Sequence, residues 1–300
     1  MQIVKIDPNA LSEEYGEKMC ESLEQGNILV LSAGIFNPTD QDCALLRSSK
    51  QSASSAFKNI AYKPHINRTT GVSADAGVDA TEVHRILAAY STGAIDFLSR
   101  LLPQYAKSWK VDYATFRPLE EQGRDLPLNR RNDLMHVDAF PTRPTHGGRI
   151  LRLFTNIHPE KDRVWVTSYP FEELVKRYAK EAGLDEVTTA PAALKRSVGR
   201  IVRMVSRKDS DRTAYDEFMI RFHTFLKSNE EFQKKGQVDL SHFKPGETWI
   251  SFTDAIAHAV KAGQYAVEQT CIVPREAMLH PDLAPLAVLE RAAGKPLATR

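Results

Sequence analysis

Short apolar runs of strand character, separated by one long helical block, constrain the fold of this chain most. The runs cover 149–157, 246–252 and 266–274, and a further run surrounds Trp165. Runs of this length, bounded by Gly and Pro and rich in β-branched and aromatic residues, are typical of buried strands. The block 170–236 has the spacing of amphipathic helices instead. We therefore expect it to be a helical insertion between strands.

These patterns predict an α+β protein that folds as a single domain over residues 1–300. Residues 1–110 are expected to form a mainly helical N-terminal support. Residues 111–168 and 240–275 are expected to form a double-stranded β-helix, or jelly-roll, whose mouth is a usual place for a ligand site. The last segment, 276–300, is expected to be a C-terminal tail.

Composition restricts the location and the partners of the protein. The chain of 300 residues is 42% hydrophobic and 26% charged, as in ordinary globular proteins. Its net charge of +2 predicts no general affinity for nucleic acid. Cys20, Cys43 and Cys271 show neither a disulfide framework nor CxxC spacing, which favours a reducing cytoplasm. Neither a signal peptide nor a membrane-spanning run is visible, whereas peripheral contact with a membrane stays open.

His136-Val-Asp138 precedes the first of these strands, and His258 follows the run 246–252. Side chains at positions i and i+2 of a strand point to the same face, so His136 and Asp138 can bind one metal ion together. A second histidine from a distant strand, His258, completes a 2-His-1-carboxylate site. Such a site leaves three coordination positions open and is typical of non-heme Fe(II) oxygenases.

Zinc is the rival metal, because catalytic zinc also keeps an open position. The chain has no H-E-x-x-H motif, and Glu247 stands several residues before His258, so Fe(II) is favoured. An oxygenase of this type consumes 2-oxoglutarate and O2. The distal carboxylate of 2-oxoglutarate needs a cationic partner inside the barrel, because an unpaired buried charge is costly.

Arg152 is the favoured partner for this carboxylate, because it shares a strand face with Ile150 and Phe154. Arg149 is the second choice, and if Arg152 binds the cosubstrate, Arg149 is expected to pair with an acid elsewhere. Gln269, where many related oxygenases carry Arg or Lys, is expected to assist. The remaining histidines are interpreted as structural or surface residues. Those in helices and loops are His65, His84, His223, His242 and His280.

The long segments 136–159 and 263–270 resemble the bacterial 3-deoxy-D-manno-oct-2-ulosonic acid (Kdo) 3-hydroxylases. This resemblance implies an Fe(II)-, 2-oxoglutarate- and O2-dependent dioxygenase. It implies hydroxylation at C3 of a Kdo residue in lipid A-linked inner-core lipopolysaccharide. It also implies that His136, Asp138 and His258 are the iron ligands. The expected partner is a Kdo-bearing lipid A precursor, with peripheral contact at the inner face of the inner membrane left open. The sequence does not indicate an oligomeric state.

Four arginines that flank the metal motif are candidates for binding the sugar carboxylate: Arg124, Arg130, Arg131 and Arg143. The basic stretch 195–212 is either a solvated helix face or a docking surface for phosphates or an anionic membrane. Two other functions stay open. One is a 2-oxoglutarate oxygenase that acts on another small anionic metabolite, and the other is a non-catalytic jelly-roll binding protein.

Overall fold

The computed structural model describes residues 1–32, 39–54, 59–75, 77–189, 211–236 and 238–298. Eleven strands are present in these ranges: β1 Ile3–Lys5, β2 Ile28–Leu31, β3 Ile60–Lys63, β4 Arg68–Thr70, β5 Lys110–Arg117, β6 Arg149–Asn156, β7 Arg163–Pro170, β8 Asp239–Phe243, β9 Thr248–Phe252, β10 Ile256–Ala262 and β11 Ala266–Val273. The helices of the first half are α1 Glu13–Glu24, α2 Asp40–Ser48, α3 Ala80–Leu101 and α4 Pro103–Ala106. Those of the second half are α5 Phe171–Tyr178, α6 Leu184–Thr189, α7 Ala214–Ser228, α8 Glu230–Lys235 and α9 Pro285–Ala293.

Two sheets form the jelly-roll that the strand pattern predicts. The larger sheet has the strand order β1-β2-β9-β6-β11-β5-β3-β4, and the smaller one has the order β10-β7-β8. Aromatic residues from both sheets meet in one buried cluster, so the two sheets face each other. Phe154 and Trp249 enter this cluster from the larger sheet, and Trp165, Phe243 and Val260 enter it from the smaller one.

The segment that carries the H-x-D motif lies alongside β10 and extends the smaller sheet. His136 and His258 exchange two backbone hydrogen bonds, of 3.0 and 2.9 Å. The Val260 N–H donates to Asn132 O on one side of this pair, and the Asp138 N–H donates to Thr253 O on the other. The backbone pairing therefore brings both histidines to the same point of the barrel.

The two faces of the larger sheet differ in chemistry. Leu151 and Leu153 of β6 point outward into the main core, where α3 packs with Ile86, Leu87 and Leu98. The alternate residues of β6 point inward, because successive side chains of a strand face opposite ways. The barrel interior is therefore aromatic at one end, around Phe154, and charged at the other, around Arg152.

The N-terminal support is more β-rich than expected. β3 and β4 form a hairpin that extends the larger sheet. Asn67 makes the tight turn between them with φ of 45°. Helix α3 ends before Pro103, which has no N–H to donate, and Lys110 already begins β5.

The C-terminal segment is not a tail. Helix α9 buries Leu286, Val288 and Leu289 in a second core, together with Phe171 and Leu174 of α5. The helical insertion between β7 and β8 is present as α5 to α8 in the described ranges. Most of the basic stretch 195–212, and the helix expected there, lies outside them.

Candidate metal centre

His136, Asp138 and His258 form a compact cluster of potential metal ligands. One ligand atom of each residue lies within 4.8 Å of the others, and all three residues are buried. The His136 Nε2 atom is 3.7 Å from Asp138 Oδ1, and the two imidazole centroids are 4.8 Å apart. The arrangement has the size and the donor types of a facial 2-His-1-carboxylate site.

Backbone carbonyls orient both imidazoles. His136 Nδ1 donates to Leu134 O at 2.6 Å, and His258 Nδ1 donates to Ile256 O at 3.1 Å. A carbonyl oxygen can only accept, so the proton of each neutral ring is on Nδ1, and the Nε2 lone pair is available for a metal. Burial lowers the pKa of both histidines below 6.5, although Asp138 partly opposes this shift.

Asp138 is ionised although it is buried. Burial alone would raise the pKa of its carboxyl group, but the Arg152 guanidinium and the two histidines hold that pKa well below 3.8. Arg152 Nε lies 3.2 Å from Asp138 Oδ2. The three side chains are thus in the protonation states that metal ligation requires, two neutral imidazoles and one carboxylate.

An aromatic wall supports the ring of His258. The indole of Trp165 is stacked on this imidazole, with the centroids 5.1 Å apart and the planes 19° from parallel. Trp165 is itself enclosed by Phe154, Phe243 and Trp249 at centroid distances of 4.9 to 5.9 Å. This packing restricts the orientation of the His258 ring and keeps water away from that side of the site.

A chain of alternating buried charges runs from Asp138 into the barrel. Arg152 Nη1 donates to Glu268 Oε1 at 3.2 Å, and Arg117 Nη2 contacts Glu268 Oε2 at 2.8 Å. Arg117 also pairs with Glu121 at 3.1 Å. Each charge therefore has an opposite neighbour, which is what makes burial of so many charges tolerable.

A cavity of about 530 Å³ opens beside these residues. Asp138, Arg152 and Glu268 lie at its inner end. Its walls come from distant parts of the chain: β3 and β4, β5, the loop after the H-x-D motif, and α7. The volume is typical of pockets that bind small molecules.

Two expected cosubstrate residues do not reach this cavity. The Gln269 amide is buried on the opposite face of β11, where it accepts from Ser91 Oγ and donates to Asp112 O and Thr270 O. The inward positions of β11 belong to Glu268 and Thr270. Because strand alternation turns Gln269 toward α3, the expectation that it assists the cosubstrate is corrected.

Arg149 also lies outside the cavity. Its guanidinium pairs with buried Asp254 at 3.1 Å and covers the ring of Phe252 at 4.0 Å. This is the acid partner expected if Arg149 does not bind the cosubstrate. The expectation that Arg149 could bind the cosubstrate is therefore corrected. Arg149 and Arg152 are three positions apart on the strand, so their side chains face opposite sides.

The four candidate substrate arginines divide into two pairs. Arg130 and Arg143 line the cavity. Arg131 instead forms a two-pronged pair with Asp133, at 2.5 and 3.0 Å, and Arg124 contacts Glu121 at 3.4 Å. Neither Arg131 nor Arg124 lines the cavity, because each is held by a nearby acidic residue. The expectation that these two arginines bind the sugar carboxylate is therefore corrected.

Sequence reasoning missed His223. This residue of α7 lines the cavity and meets the ring of His136 edge to face at 4.8 Å. Burial and the nearby Lys227 ammonium lower the pKa of His223 to about 4, so the ring is neutral. Its Nδ1 donates to Val137 O at 2.8 Å. Helix α7 is thereby joined to the backbone between His136 and Asp138, a link that no local pattern indicates.

A jelly-roll with two histidines and one aspartate at the mouth of its barrel is typical of one class of enzymes, the non-heme Fe(II) oxygenases. Non-heme Fe(II) oxygenases use this donor set, which suits iron better than thiolate-preferring metals. The cations beside the site fit a cosubstrate that carries carboxylates.

Comparison with known proteins narrows this class to one family. The family of 3-deoxy-D-manno-oct-2-ulosonic acid (Kdo) hydroxylases matches residues 7–296. This chain belongs to the Kdo hydroxylase family. No curated protein sequence matches it.

Solved structures of the Kdo hydroxylase KdoO, a non-heme Fe(II) α-ketoglutarate-dependent dioxygenase, have the same fold. The complex with α-ketoglutarate and Fe(III) is 32% identical with a TM-score of 0.83, over 99% of this chain and 97% of that one. The apo structure is 32% identical with a TM-score of 0.84, over 99% and 98%. The complex with succinate and Fe(III) is 31% identical with a TM-score of 0.82, over 99% and 97%. The jelly-roll prediction is confirmed.

Within the described ranges, every helix is too short or too polar to span a bilayer.

Substitution of one ligand tests the metal centre. We expect His258→Ala to weaken Co(II) binding by more than about 100-fold. Removing even a residue that only hydrogen-bonds to a metal ligand lowers metal affinity about 10- to 100-fold. The control is His242→Ala on exposed β8, which should bind Co(II) like the wild type. Absorbance titration of the anaerobic protein measures both. A His258→Ala protein of unchanged affinity would show that the metal binds elsewhere.

The pKa shifts predict how metal affinity depends on pH. Protons compete with a metal for imidazole, and both histidine pKa values are lowered from 6.5. Competition therefore begins only at lower pH than for ordinary histidines. We expect the Co(II) affinity at about pH 6 to be within about threefold of that at about pH 7.5. A tenfold or larger loss, measured by calorimetry, would contradict the assigned ionisation states.

Proposed function

We propose that this protein is an Fe(II)- and 2-oxoglutarate-dependent dioxygenase that hydroxylates C3 of a Kdo residue in a lipid A-linked precursor of lipopolysaccharide. Membership of the Kdo hydroxylase family supports the substrate class. The observation that carries the chemistry is the triad of His136, Asp138 and His258 beside a cation-lined cavity.

The triad residues fit Fe(II) by donor type, spacing and protonation state. His136 and His258 would each bind the metal through Nε2, since Nδ1 of each donates to a carbonyl. An Fe(II) ion held by these three residues would supply the oxidative chemistry, in which decarboxylation of 2-oxoglutarate is coupled to hydroxylation of a substrate carbon. The residues of the chain hold these groups in register and exclude water from the aromatic side of the site.

Arg152 is the proposed partner of the distal carboxylate of 2-oxoglutarate. It is 8% exposed and lies at the inner end of the cavity. Its Nε faces Asp138 and its Nη1 faces Glu268, so these two acids fix the plane of the guanidinium. A guanidinium held in this way presents its remaining edge to a carboxylate in the geometry that suits both groups.

The lipid-linked acceptor requires an approach to a membrane surface. We propose that the protein makes this contact peripherally, with the rim of the cavity facing the bilayer. Ile66 and Leu128 are 54% and 39% exposed, and they lie within three residues of the cavity-lining Lys63 and Asn129. Apolar side chains at such a rim can enter the interfacial region of a bilayer. The cytoplasmic location stays a prediction.

Another small anionic metabolite is the alternative substrate, since the cations of the cavity would attract any carboxylate. A non-catalytic binding role fits less well, because all three ligands stand in ligating protonation states.

Turnover with a Kdo-bearing lipid A precursor tests the proposed function. Purified protein with Fe(II), 2-oxoglutarate and O2 should form succinate faster when this glycolipid is added. Mass spectrometry should find one added oxygen on the Kdo unit. Lipid A without Kdo is the matched control and should give no stimulation. Absence of stimulation by the Kdo-bearing lipid, with stimulation by another acid, would establish the alternative.

Arg152→Met tests the cosubstrate assignment. We expect KM for 2-oxoglutarate to rise at least about 30-fold, because removing one partner of a buried charge pair costs about 2–5 kcal/mol. Arg131→Met, which removes a guanidinium outside the cavity, should leave KM near the wild-type value. Co(II) affinity measured in parallel separates the two roles of Arg152. An equal loss of metal affinity would show that Arg152 acts through Asp138 instead.

A further inference from the structure

The outer half of the cavity carries a second group of cations, separate from Arg152. Five basic residues but only two acidic ones, Asp138 and Glu268, line the cavity. The basic residues are Lys63, Arg117, Arg130, Arg143 and Arg152. Arg117 and Arg143 are also paired with acids that do not line the cavity, Glu121 and Asp112. The positive charge available to a second anionic group therefore includes that of Lys63.

The ring of Phe140 lies near both the Arg152 and the Arg143 guanidinium groups. Its ring centroid lies 5.4 Å from the Arg152 guanidinium carbon and 4.4 Å from that of Arg143. The two guanidinium groups thus border the same ring. The cavity wall therefore carries guanidinium groups at two neighbouring positions, Arg152 beside Asp138 and Arg143 beside Tyr113.

The ring of Tyr113 contacts two of these cations, Lys63 and Arg143, which we call the outer cations. The Arg143 guanidinium carbon is 4.0 Å from the Tyr113 ring centroid, and Lys63 Nζ is 5.3 Å from it. Both contacts are of the cation–π type, which holds a cation in place without neutralising it. The ring therefore brings two positive charges together at one edge of the cavity.

The two outer cations differ in their acidic partners. Arg143 Nε lies 3.0 Å from buried Asp112, so this pair fixes the guanidinium and balances its charge. Lys63 makes no ion pair with an acid anywhere in the described ranges. Lys63 is half-buried in the cavity wall. Its charge is thus available to an incoming anion.

We propose that Lys63 and Arg143, held by Tyr113, bind the carboxylate of the Kdo unit, while Arg152, which borders the Phe140 ring with Arg143, binds 2-oxoglutarate. This assignment rests on the proposed function. In a 2-ulosonic acid the carboxyl carbon is two bonds from C3, so the acid group must lie in the same cavity as the metal ligands. Lys63 belongs to β3 of the N-terminal hairpin, which thereby supplies substrate recognition to the jelly-roll.

The discriminating experiment compares an acid with a neutral analogue. Wild-type protein should prefer the Kdo-bearing glycolipid over its Kdo carboxamide derivative by about tenfold or more in kcat/KM, as expected for a charge-assisted contact. In Lys63→Met and Arg143→Met, KM for the acid should rise about tenfold and this preference should shrink toward unity. KM for 2-oxoglutarate should stay within about twofold of the wild-type value.

Matched controls come from the same segments of the chain. Arg68→Met changes the exposed cross-strand neighbour of Lys63 in the hairpin, and Arg131→Met changes a cation outside the cavity. Both should keep the preference for the acid. Lys63→Arg retains a positive charge and should therefore keep most of the preference for the acid over the carboxamide. A purely structural role of Lys63 would not require a positive charge at this position.

The outcomes separate this proposal from the function on which it rests. A wild type that turns over without any stimulation by Kdo glycolipid overturns the proposed function. A wild type that hydroxylates Kdo, together with Lys63→Met and Arg143→Met proteins that keep the full preference for the acid, overturns only the carboxylate assignment. A rise in KM for 2-oxoglutarate in these variants would instead place the cosubstrate at the outer position.

Discussion

The backbone pairing of His136 with His258 is the constraint on which the rest of the site depends. Two reciprocal hydrogen bonds lock the H-x-D segment onto β10, which fixes the distance between the two imidazoles. The carbonyls of Leu134 and Ile256, two residues before each histidine, then set the ring orientations. Each imidazole is thus oriented by the segment that carries it, and Arg152 contacts the carboxylate of Asp138.

The two ends of the barrel interior differ in chemistry, since one is aromatic and the other is charged, and both support the metal ligands. At one end, Trp165 and its aromatic neighbours fill the space between the sheets and press on His258. At the other end, alternating charges from Asp138 to Glu121 keep the walls polar around the cavity. The aromatic end restricts the orientation of the His258 ring, and the charged end lines the cavity that is proposed to bind the cosubstrate. The metal ligands lie next to both, with Trp165 stacked on His258 and Arg152 beside Asp138.

How much could be predicted from the sequence depended on how local each signal was. The triad was visible because His136 and Asp138 are two apart, as on one face of an extended segment, and His258 follows a recognisable strand. Strand alternation also separated Arg149 from Arg152. Gln269 was misplaced because the inward face of β11 depends on its register with β5 and β6, which no local pattern gives. Lys63 and His223 were missed for the same reason, since the contacts that bring them to the cavity are made only in the tertiary structure.

The charge chain of the barrel also affects how the protein reaches its folded state. Arg117 and Glu268 are 151 residues apart, and Ser91 and Gln269 are 178 apart. Such contacts close large loops, and the entropy lost in closing them opposes their formation. The paired histidines and the arginine that Asp138 and Glu268 orient come from segments far apart in the sequence. The candidate metal centre is therefore a property of the complete fold and not of any single segment.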